Sequence, residues 1–267
     1  MKDTSQMDYR ALDTPEILTL LFHPRREGNP PRPEGDVHDM QIPVGDNVTL
    51  GARFHHAANT APTILFFHGN GEIVADYDEI GPLYVRKGIN FFPVDYRGYG
   101  RSTGNPTVTS MMRDCHAVLE YVRNWLNDLE YTGPLVVMGR SLGSAPALEL
   151  AAHCKTLING LIIESGFAYL LPLLRLMGVS LRQEDISEED GSQNLEKIRT
   201  VDIPTLIIHA QYDHIIPLAD GRALYEASAA REKRILMIPQ ADHNTIFVRG
   251  FHAYLAAIGD FLRLLME

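Results

Sequence analysis

Hydrophobic and polar positions along the chain alternate between two patterns, one typical of buried strands and the other typical of helices. Short runs such as residues 63–67 are almost entirely apolar, as expected for strands covered on both faces of a parallel sheet. Longer segments between the runs carry apolar residues at helical spacing. The runs predict strands at 63–67, 89–94, 135–138, 157–163, 203–209 and 234–238, and the longer segments predict helices at 74–87, 107–129, 142–154, 218–229 and 244–266. This alternation predicts an α/β protein with a mostly parallel sheet and helices on both faces.

Two further strands precede this alternation. Residues 37–44 and 48–56 flank the tripeptide Gly45-Asp46-Asn47, which favours a hairpin turn. Within 48–56 every second residue is apolar, which indicates a strand with one face in the core. We therefore expect an antiparallel pair at the edge of the larger sheet.

Residues 1–36 predict an N-terminal arm outside the sheet. Thr14 can cap a short helix at 15–22, and Pro15 suits the first position of that helix. The glycine and prolines of 28–33 exclude regular structure after it. We expect this arm to pack on the surface and to take no part in the chemistry.

The remaining residues, 37–267, predict one domain with a single interruption. The segment between residues 164 and 203 contains no predicted strand; its first half is rich in leucine and its second half is acidic. Because such a segment adds no strand to the sheet, we interpret residues 165–200 as a short cap insertion over the sheet.

The leucine-rich half of this insertion predicts a helix at 167–177. Leu170, Leu174 and Met177 recur on one face of that helix, together with Leu173. We expect this face to form an apolar roof that contacts the substrate. The alternative is that the same face packs on the body of the domain, as apolar stripes usually do.

Composition narrows the choice of partners and of cellular location. The formal net charge of -10 argues against nucleic acid and against anionic membrane surfaces. No apolar run approaches the roughly 18 residues that a membrane-spanning helix needs. The first residues lack the apolar core of a signal peptide, so we expect a cytoplasmic protein. The sequence leaves the oligomeric state open.

The metal-binding and redox side chains give no sign of a cofactor. Cys115 and Cys154 fall in predicted helices, which indicates two buried thiols and not a disulfide framework. No cluster of His, Cys and Asp has the spacing of metal ligands, and Gly98-x-Gly100 does not begin the helix that a dinucleotide site needs. We therefore predict neither a metal nor a cofactor.

The strongest candidate for chemistry is the segment 139–143. It reads Gly-x-Ser-x-Gly and lies between the predicted strand 135–138 and the predicted helix 142–154. In this setting the sharp turn holds its central serine, here Ser141, in a strained conformation that exposes the hydroxyl. The alternative is that Ser141 is only a small residue in a tight turn.

Two other residues complete a candidate catalytic set. A serine hydroxyl needs a base, and the base needs an acid that orients it. In a parallel sheet such groups follow the carboxyl ends of later strands, which is where Asp213 and His243 lie. The chain order Ser141, Asp213, His243 is the order expected for an elbow of this type. Other candidates are Glu164, Asp202 and Asp220 for the acid, and His209 and His214 for the base.

Five segments in this order resemble the α/β-hydrolase superfamily over about residues 37–267. They are His68-Gly69-Asn70-Gly71, the stretch from Asp95 to Ser102, residues 139–143, the segment around Asp213, and His243. Their variants are similar to those of the Bem46/ABHD-like serine hydrolases. The resemblance implies the α/β-hydrolase fold with strand order 1-2-4-3-5-6-7-8, and Ser141, Asp213 and His243 as nucleophile, acid and base.

The resemblance also implies an oxyanion hole. Its two donors would be the backbone N–H groups of Asn70 and Leu142, and His68 would have the structural role of holding the loop of Asn70. One position departs from the family, because relatives usually carry glycine where this chain has Ala210. The extra methyl group is small, so the assignment of Asp213 as the acid stands.

These features predict a serine hydrolase that cleaves carboxylic ester or thioester bonds of small, apolar acyl substrates through an acyl-enzyme. The same fold also hosts peptidases and acyltransferases, which remain alternatives for the same triad. A non-catalytic ligand-binding protein with this fold is another alternative. Loss of a triad residue is the usual signature of such a protein, and here all three residues are present.

Overall fold

An eight-stranded sheet forms the centre of the molecule. The computed structural model describes residues 9–28, 35–178, 187, 189 and 191–267. The strands β1 to β8 are Val37–Gly45, Val48–His55, Thr63–Phe67, Asn90–Val94, Leu135–Arg140, Gly160–Glu164, Thr205–Ala210 and Lys233–Ile238. Their order is β1-β2-β4-β3-β5-β6-β7-β8. The pairs β1·β2 and β2·β4 are antiparallel, and all other neighbouring pairs are parallel. The predicted α/β-hydrolase fold is confirmed.

Helices cover both faces of the sheet. The helices α1 to α8 are Pro15–Leu21, Gly81–Val85, Val108–Asp128, Ser144–His153, Leu170–Leu176, Asn194–Ile198, Leu218–Ala227 and Ile246–Leu264. Side chains of α3, α4 and α7 share a buried cluster with one face of the strands, and those of α2 and α8 share another with the opposite face. In β3, Leu65 and Phe67 join the first cluster, and Ile64 and Phe66 join the second. Full burial of each such side chain contributes about 1.5–3 kcal/mol.

The helix predicted after β3 is broken into two pieces. A 3-10 turn at Val74–Tyr77 is followed by the short helix α2, where the spacing predicts one continuous helix. Pro82 lacks an N–H and restricts the residue before it, so a helix can begin there but cannot run through it. Gly81 also packs closely on β2, because a Cβ atom added to it would lie 2.5 Å from the ring of His55.

β2 is buried on both faces, whereas its sequence pattern indicates only one face in the core. The second face carries Arg53, which is 2% exposed. Its guanidinium lies 2.6 Å from Asp39 and 2.5 Å from Asp78, and 3.3 Å from Glu27 of the N-terminal arm. Paired charges therefore cover this face, and alternation of apolar residues cannot reveal them.

The arm and the insertion are described in part. Helix α1 begins after Thr14, whose hydroxyl accepts a hydrogen bond from the backbone N–H of Ile17, as the capping pattern predicts. The prolines from residue 29 to 33 and most of the acidic half of the insertion lie outside the described residues. Cys115 and Cys154 are buried thiols that are not joined in a disulfide. None of the helices in the described ranges is long and apolar enough to cross a membrane.

Candidate active site

Ser141 lies at the sharp turn between β5 and α4. Its φ angle is 52°, a left-handed conformation that is strained for a residue with a side chain. The flanking glycines allow this turn because neither position has room for a side chain. A Cβ atom at Gly139 would lie 2.1 Å from the carbonyl oxygen of Gly143, and one at Gly143 would lie 2.1 Å from that of Phe67. The turn therefore projects the serine hydroxyl from the carboxyl end of the sheet.

Ser141, His243 and Asp213 form one chain of hydrogen bonds. The Oγ atom of Ser141 lies 2.9 Å from Nε2 of His243, and Nδ1 of His243 lies 2.7 Å from Oδ2 of Asp213. The other carboxylate oxygen of Asp213 accepts hydrogen bonds from the backbone N–H groups of Ile215 and Ile216 at 3.0 and 2.8 Å. This arrangement favours the tautomer with the proton on Nδ1, which leaves Nε2 free to accept the serine proton.

The surroundings of Asp213 keep its carboxyl group ionised. Burial alone would raise its pKa, but the hydrogen bond and charge of His243, together with the N–H of Ile216, bring that pKa below its ordinary value. His209 lies 3.7 Å from the same carboxylate and donates to the carbonyl oxygen of Ile216. Its ring is fully buried, and burial lowers its pKa. His214 is exposed at the cavity wall.

Glu164, the main alternative for the acid, is engaged elsewhere. It ends β6 next to β7, but its carboxylate accepts a hydrogen bond from the hydroxyl of Tyr254 and lies 3.5 Å from Nη1 of Arg140. Burial raises its pKa and outweighs the opposing charge of Arg140. Asp213 is therefore the carboxylate that holds the ring of His243 among the described residues.

Arg140 connects two loops around Ser141. Its Nε donates to Glu72 at 2.9 Å, and its Nη2 donates to the carbonyl oxygen of His243 at 3.1 Å. Glu72 in turn accepts hydrogen bonds from the backbone N–H of Gly69 at 2.7 Å and from the hydroxyl of Tyr77 at 2.6 Å. Burial alone would raise the pKa of Glu72, but the charge of Arg140 and these donors bring it below its ordinary value. The pair thus links the loop after β3 to the loop of His243.

The sequence patterns do not predict the ion pair between Arg140 and Glu72. They leave open whether Glu72 and Arg97 contact the substrate, form a structural ion pair or are solvated side chains. In the structure Glu72 pairs with Arg140, whereas Arg97 forms a bidentate pair with Asp114 at 2.7 and 2.8 Å. A signal for the first pair exists, since an arginine at the end of an otherwise apolar strand needs a buried partner.

The two predicted oxyanion donors lie beside Ser141. Asn70 and Leu142 both line the cavity that contains Ser141 and His243. Leu142 is at the start of the helical segment that continues into α4, where backbone N–H groups have no partner within the helix. His68 is fully buried; its Nδ1 donates to the carbonyl oxygen of Gly69 at 2.8 Å, and Nε2 lies 3.3 Å from Asp95. These contacts fit the structural role expected for His68.

The cavity at Ser141 has a volume of about 410 Å³ and largely apolar walls. Helix α5 contributes Leu173 and Leu176 to it, and Met177 follows directly after the helix. Further apolar walls come from Leu21, Leu142, Ile215 and Ile216. The expectation for Leu170 and Leu174 is wrong, because these two residues are 3% and 0% exposed and belong to the buried core. α5 is apolar around most of its circumference, so spacing alone does not show which side meets the core. Met177 does line the cavity, as predicted.

Several known proteins resemble this chain in sequence or in fold. The model of the serine aminopeptidase (S33) family matches residues 58–181. The chain is 28% identical over 231 residues to protein bem46 of Schizosaccharomyces pombe, covering 84% of this chain and 75% of that protein. It is 30% identical over 199 residues to the human alpha/beta hydrolase domain-containing protein 17B, covering 72% of this chain and 64% of that protein. The esterase Pf2001 of Pyrococcus furiosus superposes with a TM-score of 0.73 at 20% identity, covering 91% of this chain and 99% of that structure.

Sheet order, family match and relatives converge on one class: the chain belongs to the α/β-hydrolase superfamily and is a hydrolase. Within that superfamily it is similar to the Bem46/ABHD-like proteins, as bem46 and the human protein 17B indicate. The resemblance drawn from the motifs is thereby confirmed at the level of the family.

Proposed function

We propose that this hydrolase cleaves carboxylic ester or thioester bonds of small, apolar acyl substrates through an acyl-enzyme on Ser141. The observation that carries the proposal is the unbroken chain of hydrogen bonds from the Ser141 hydroxyl through His243 to Asp213. Such a chain lets an imidazole accept the serine proton as the hydroxyl attacks a carbonyl carbon.

The reaction has two halves. In the first, Ser141 attacks the carbonyl carbon, His243 takes the proton, and the backbone N–H groups of Asn70 and Leu142 stabilise the oxyanion. His243 then gives the proton to the leaving alcohol or thiol as the acyl-enzyme forms. In the second half, water attacks the acyl-enzyme while His243 accepts its proton. His243 then returns this proton to the Oγ atom of Ser141 as the bond to the acyl group breaks and the acid product leaves. Asp213 stays ionised throughout and stabilises the imidazolium.

The cavity walls favour an apolar acyl group over an aminoacyl group. Recognition of a free α-amino group is favoured by a carboxylate whose charge is not already balanced by a cation of the protein. Glu72 is the one carboxylate among the described residues that line the cavity, and it already accepts from Arg140, Gly69 and Tyr77. The apolar side chains of α5, in contrast, offer surface to a hydrocarbon chain. These observations support an esterase or thioesterase more than an aminopeptidase.

The test combines a covalent probe with a substrate panel. We expect a fluorophosphonate to label Ser141 and the protein to hydrolyse p-nitrophenyl esters faster than aminoacyl p-nitroanilides. Ser141→Ala should abolish labelling and lower kcat by about 10⁴-fold or more, since the remaining groups cannot supply a nucleophile. Full ester hydrolysis by pure Ser141→Ala protein would exclude the nucleophile assignment, and faster turnover of the anilides would make the protein a peptidase.

A further inference from the structure

The N-terminal arm lies against the loop that follows β3. We call residues 69–72 of this loop the oxyanion loop. Helix α1 fastens the arm to the domain, since Ile17, Leu21 and Phe22 are 2–4% exposed. The chain then runs past Asn70, and Leu21 forms part of the cavity wall. The arm therefore reaches the candidate active site, contrary to the expectation that it only packs on the surface.

The side chain of Asn70 is held by the arm. Its Oδ1 accepts hydrogen bonds from the backbone N–H of His23 and from the hydroxyl of Tyr99, both at 2.8 Å. Its Nδ2 donates to the carbonyl oxygen of Leu20 at 3.4 Å and to Nδ1 of His23 at 3.0 Å. Both polar atoms of the carboxamide thus form hydrogen bonds within the protein. These hydrogen bonds hold the backbone of Asn70 in place.

A second contact holds the next residue of the loop. Nε of Arg25 donates to the carbonyl oxygen of Gly71 at 2.8 Å, and its guanidinium pairs with Asp76. The backbone carbonyl of Arg25 also accepts from the N–H of Gly100 at 2.9 Å. The arm thus joins the loop after β3 to the loop after β4.

The oxyanion loop needs such support because of its composition. Asn70 lies between Gly69 and Gly71, and Gly71 has a φ angle of 76°. Glycines leave a backbone free to adopt many conformations. A useful oxyanion donor must lie within about 2.7–3.1 Å of the developing charge. Without external contacts the Asn70 N–H would spend much of its time outside that range.

We propose that the N-terminal arm is a positioning element of the active site: through His23 and Arg25 it holds the oxyanion loop so that the backbone N–H of Asn70 meets the oxyanion. This inference rests on the proposed function. The carboxamide of Asn70 and the side chain of Arg25 act on the loop and do not touch the substrate.

Two neighbouring arginines of the arm provide a matched pair for the test. Arg25 contacts the oxyanion loop, whereas the side chain of Arg26 donates to the carbonyl oxygen of Ser102, away from it. With p-nitrophenyl butyrate we expect Asn70→Ala to lower kcat by about 10- to 100-fold and Arg25→Ala by about threefold, because small misplacements of catalytic groups are costly. Arg26→Ala should stay within about twofold of the parent, and KM should change little in all three.

A transition-state mimic separates positioning from a general loss of structure. An alkylboronic acid forms a tetrahedral adduct with the serine hydroxyl and presents an oxygen to the oxyanion hole. Its inhibition constant should rise in Asn70→Ala and Arg25→Ala in proportion to the loss of kcat, while the melting temperature of Arg25→Ala stays close to that of Arg26→Ala. Arg25→Lys, which keeps a donor for Gly71, should recover part of the rate.

The outcomes distinguish the two proposals. An active parent in which Asn70→Ala and Arg25→Ala behave like Arg26→Ala, or bind the boronic acid as the parent does, would overturn the role of the arm alone. A parent that neither hydrolyses any ester of the panel nor labels at Ser141 would overturn the proposed function and this inference with it.

Discussion

Two groups of buried and partly buried polar side chains lie at the same edge of the sheet, and they use their hydrogen bonds differently. Ser141, His243 and Asp213 form a chain that ends at a hydroxyl on the cavity wall. Arg140 and Glu72 instead direct their charges at each other and at protein groups nearby. A group that transfers a proton must keep one end open to the substrate, whereas a group that holds loops in place gains most when every atom has a partner.

The largest predicted effect concerns two carboxylates: Asp213, which follows β7, and Glu164, which ends the neighbouring strand β6. Asp213→Asn should lower kcat by about 10³- to 10⁴-fold, because an amide no longer favours the proton on Nδ1 of His243. Glu164→Gln should cost less than about tenfold, since Glu164 contacts Tyr254 and Arg140 and not the imidazole. The measurement is kcat of both variants with p-nitrophenyl butyrate as the substrate. A larger loss in Glu164→Gln would move the acid to the end of β6.

An intermediate effect is expected at the pair that holds the loops. Arg140→Met removes the cation beside the buried Glu164 and the partly buried Glu72, so it should lower the free energy of unfolding by about 3 kcal/mol and reduce kcat. Glu72→Gln added to Arg140→Met should recover part of that stability, because one uncompensated charge disappears. Denaturant unfolding of the parent, the two single variants and the double variant measures the coupling. Strictly additive losses would show that the pair does not act as a unit.

The pH dependence of the same pair has a definite sign. The pKa of Glu72 lies below its ordinary value in the folded protein, so folding favours its ionised form. The stabilisation is therefore complete above the ordinary pKa of a glutamate and is lost as the pH falls through the folded-state pKa. Acid titration of stability should show this loss in the parent and a weaker one in Glu72→Gln.

The smallest effect concerns the two sides of α5. Each buried methylene contributes about 0.8 kcal/mol, so two more acyl carbons should raise kcat/KM roughly tenfold in the parent. Leu176 lines the cavity and is 60% exposed; Leu176→Asn should flatten this increase without loss of stability. Leu174→Ala should keep the increase but lower the melting temperature, because Leu174 is fully buried in the core. Identical chain-length profiles in the parent and Leu176→Asn would exclude α5 as an acyl contact.

The sheet and the approach of Ser141, Asp213 and His243 could be predicted because local patterns specify them. Each residue follows a short apolar strand, and parallel strands bring their carboxyl ends to one edge. The same rule names Glu164 as a rival, and only side-chain contacts decide between it and Asp213. The structure also distinguishes His243 from the other two candidate histidines, because His209 is buried in the core and His214 is exposed to solvent.

The contacts of the arm could not be predicted, and the reason is physical. Most of these contacts have a backbone group on one side: the N–H of His23 donates to Asn70, and the side chain of Arg25 donates to the carbonyl oxygen of Gly71. Every residue carries a carbonyl group and every residue except proline an N–H, so the sequence does not mark these partners. The face of α5 was ambiguous for a related reason: Leu170, Leu171, Leu173, Leu174 and Leu176 surround the helix, so periodicity does not distinguish the cavity side from the core side.

The arm also affects the order in which the protein becomes active. Residues 14–28 are synthesised before the loops that they hold, and His23 precedes Asn70 by 47 residues and Tyr99 by 76. Asn70 follows β3 and Tyr99 follows β4, so the surface that the arm contacts is complete only when these two strands are paired. Closing such connections costs entropy that later contacts recover. The enzyme should therefore assemble its sheet first and gain its activity in a later step.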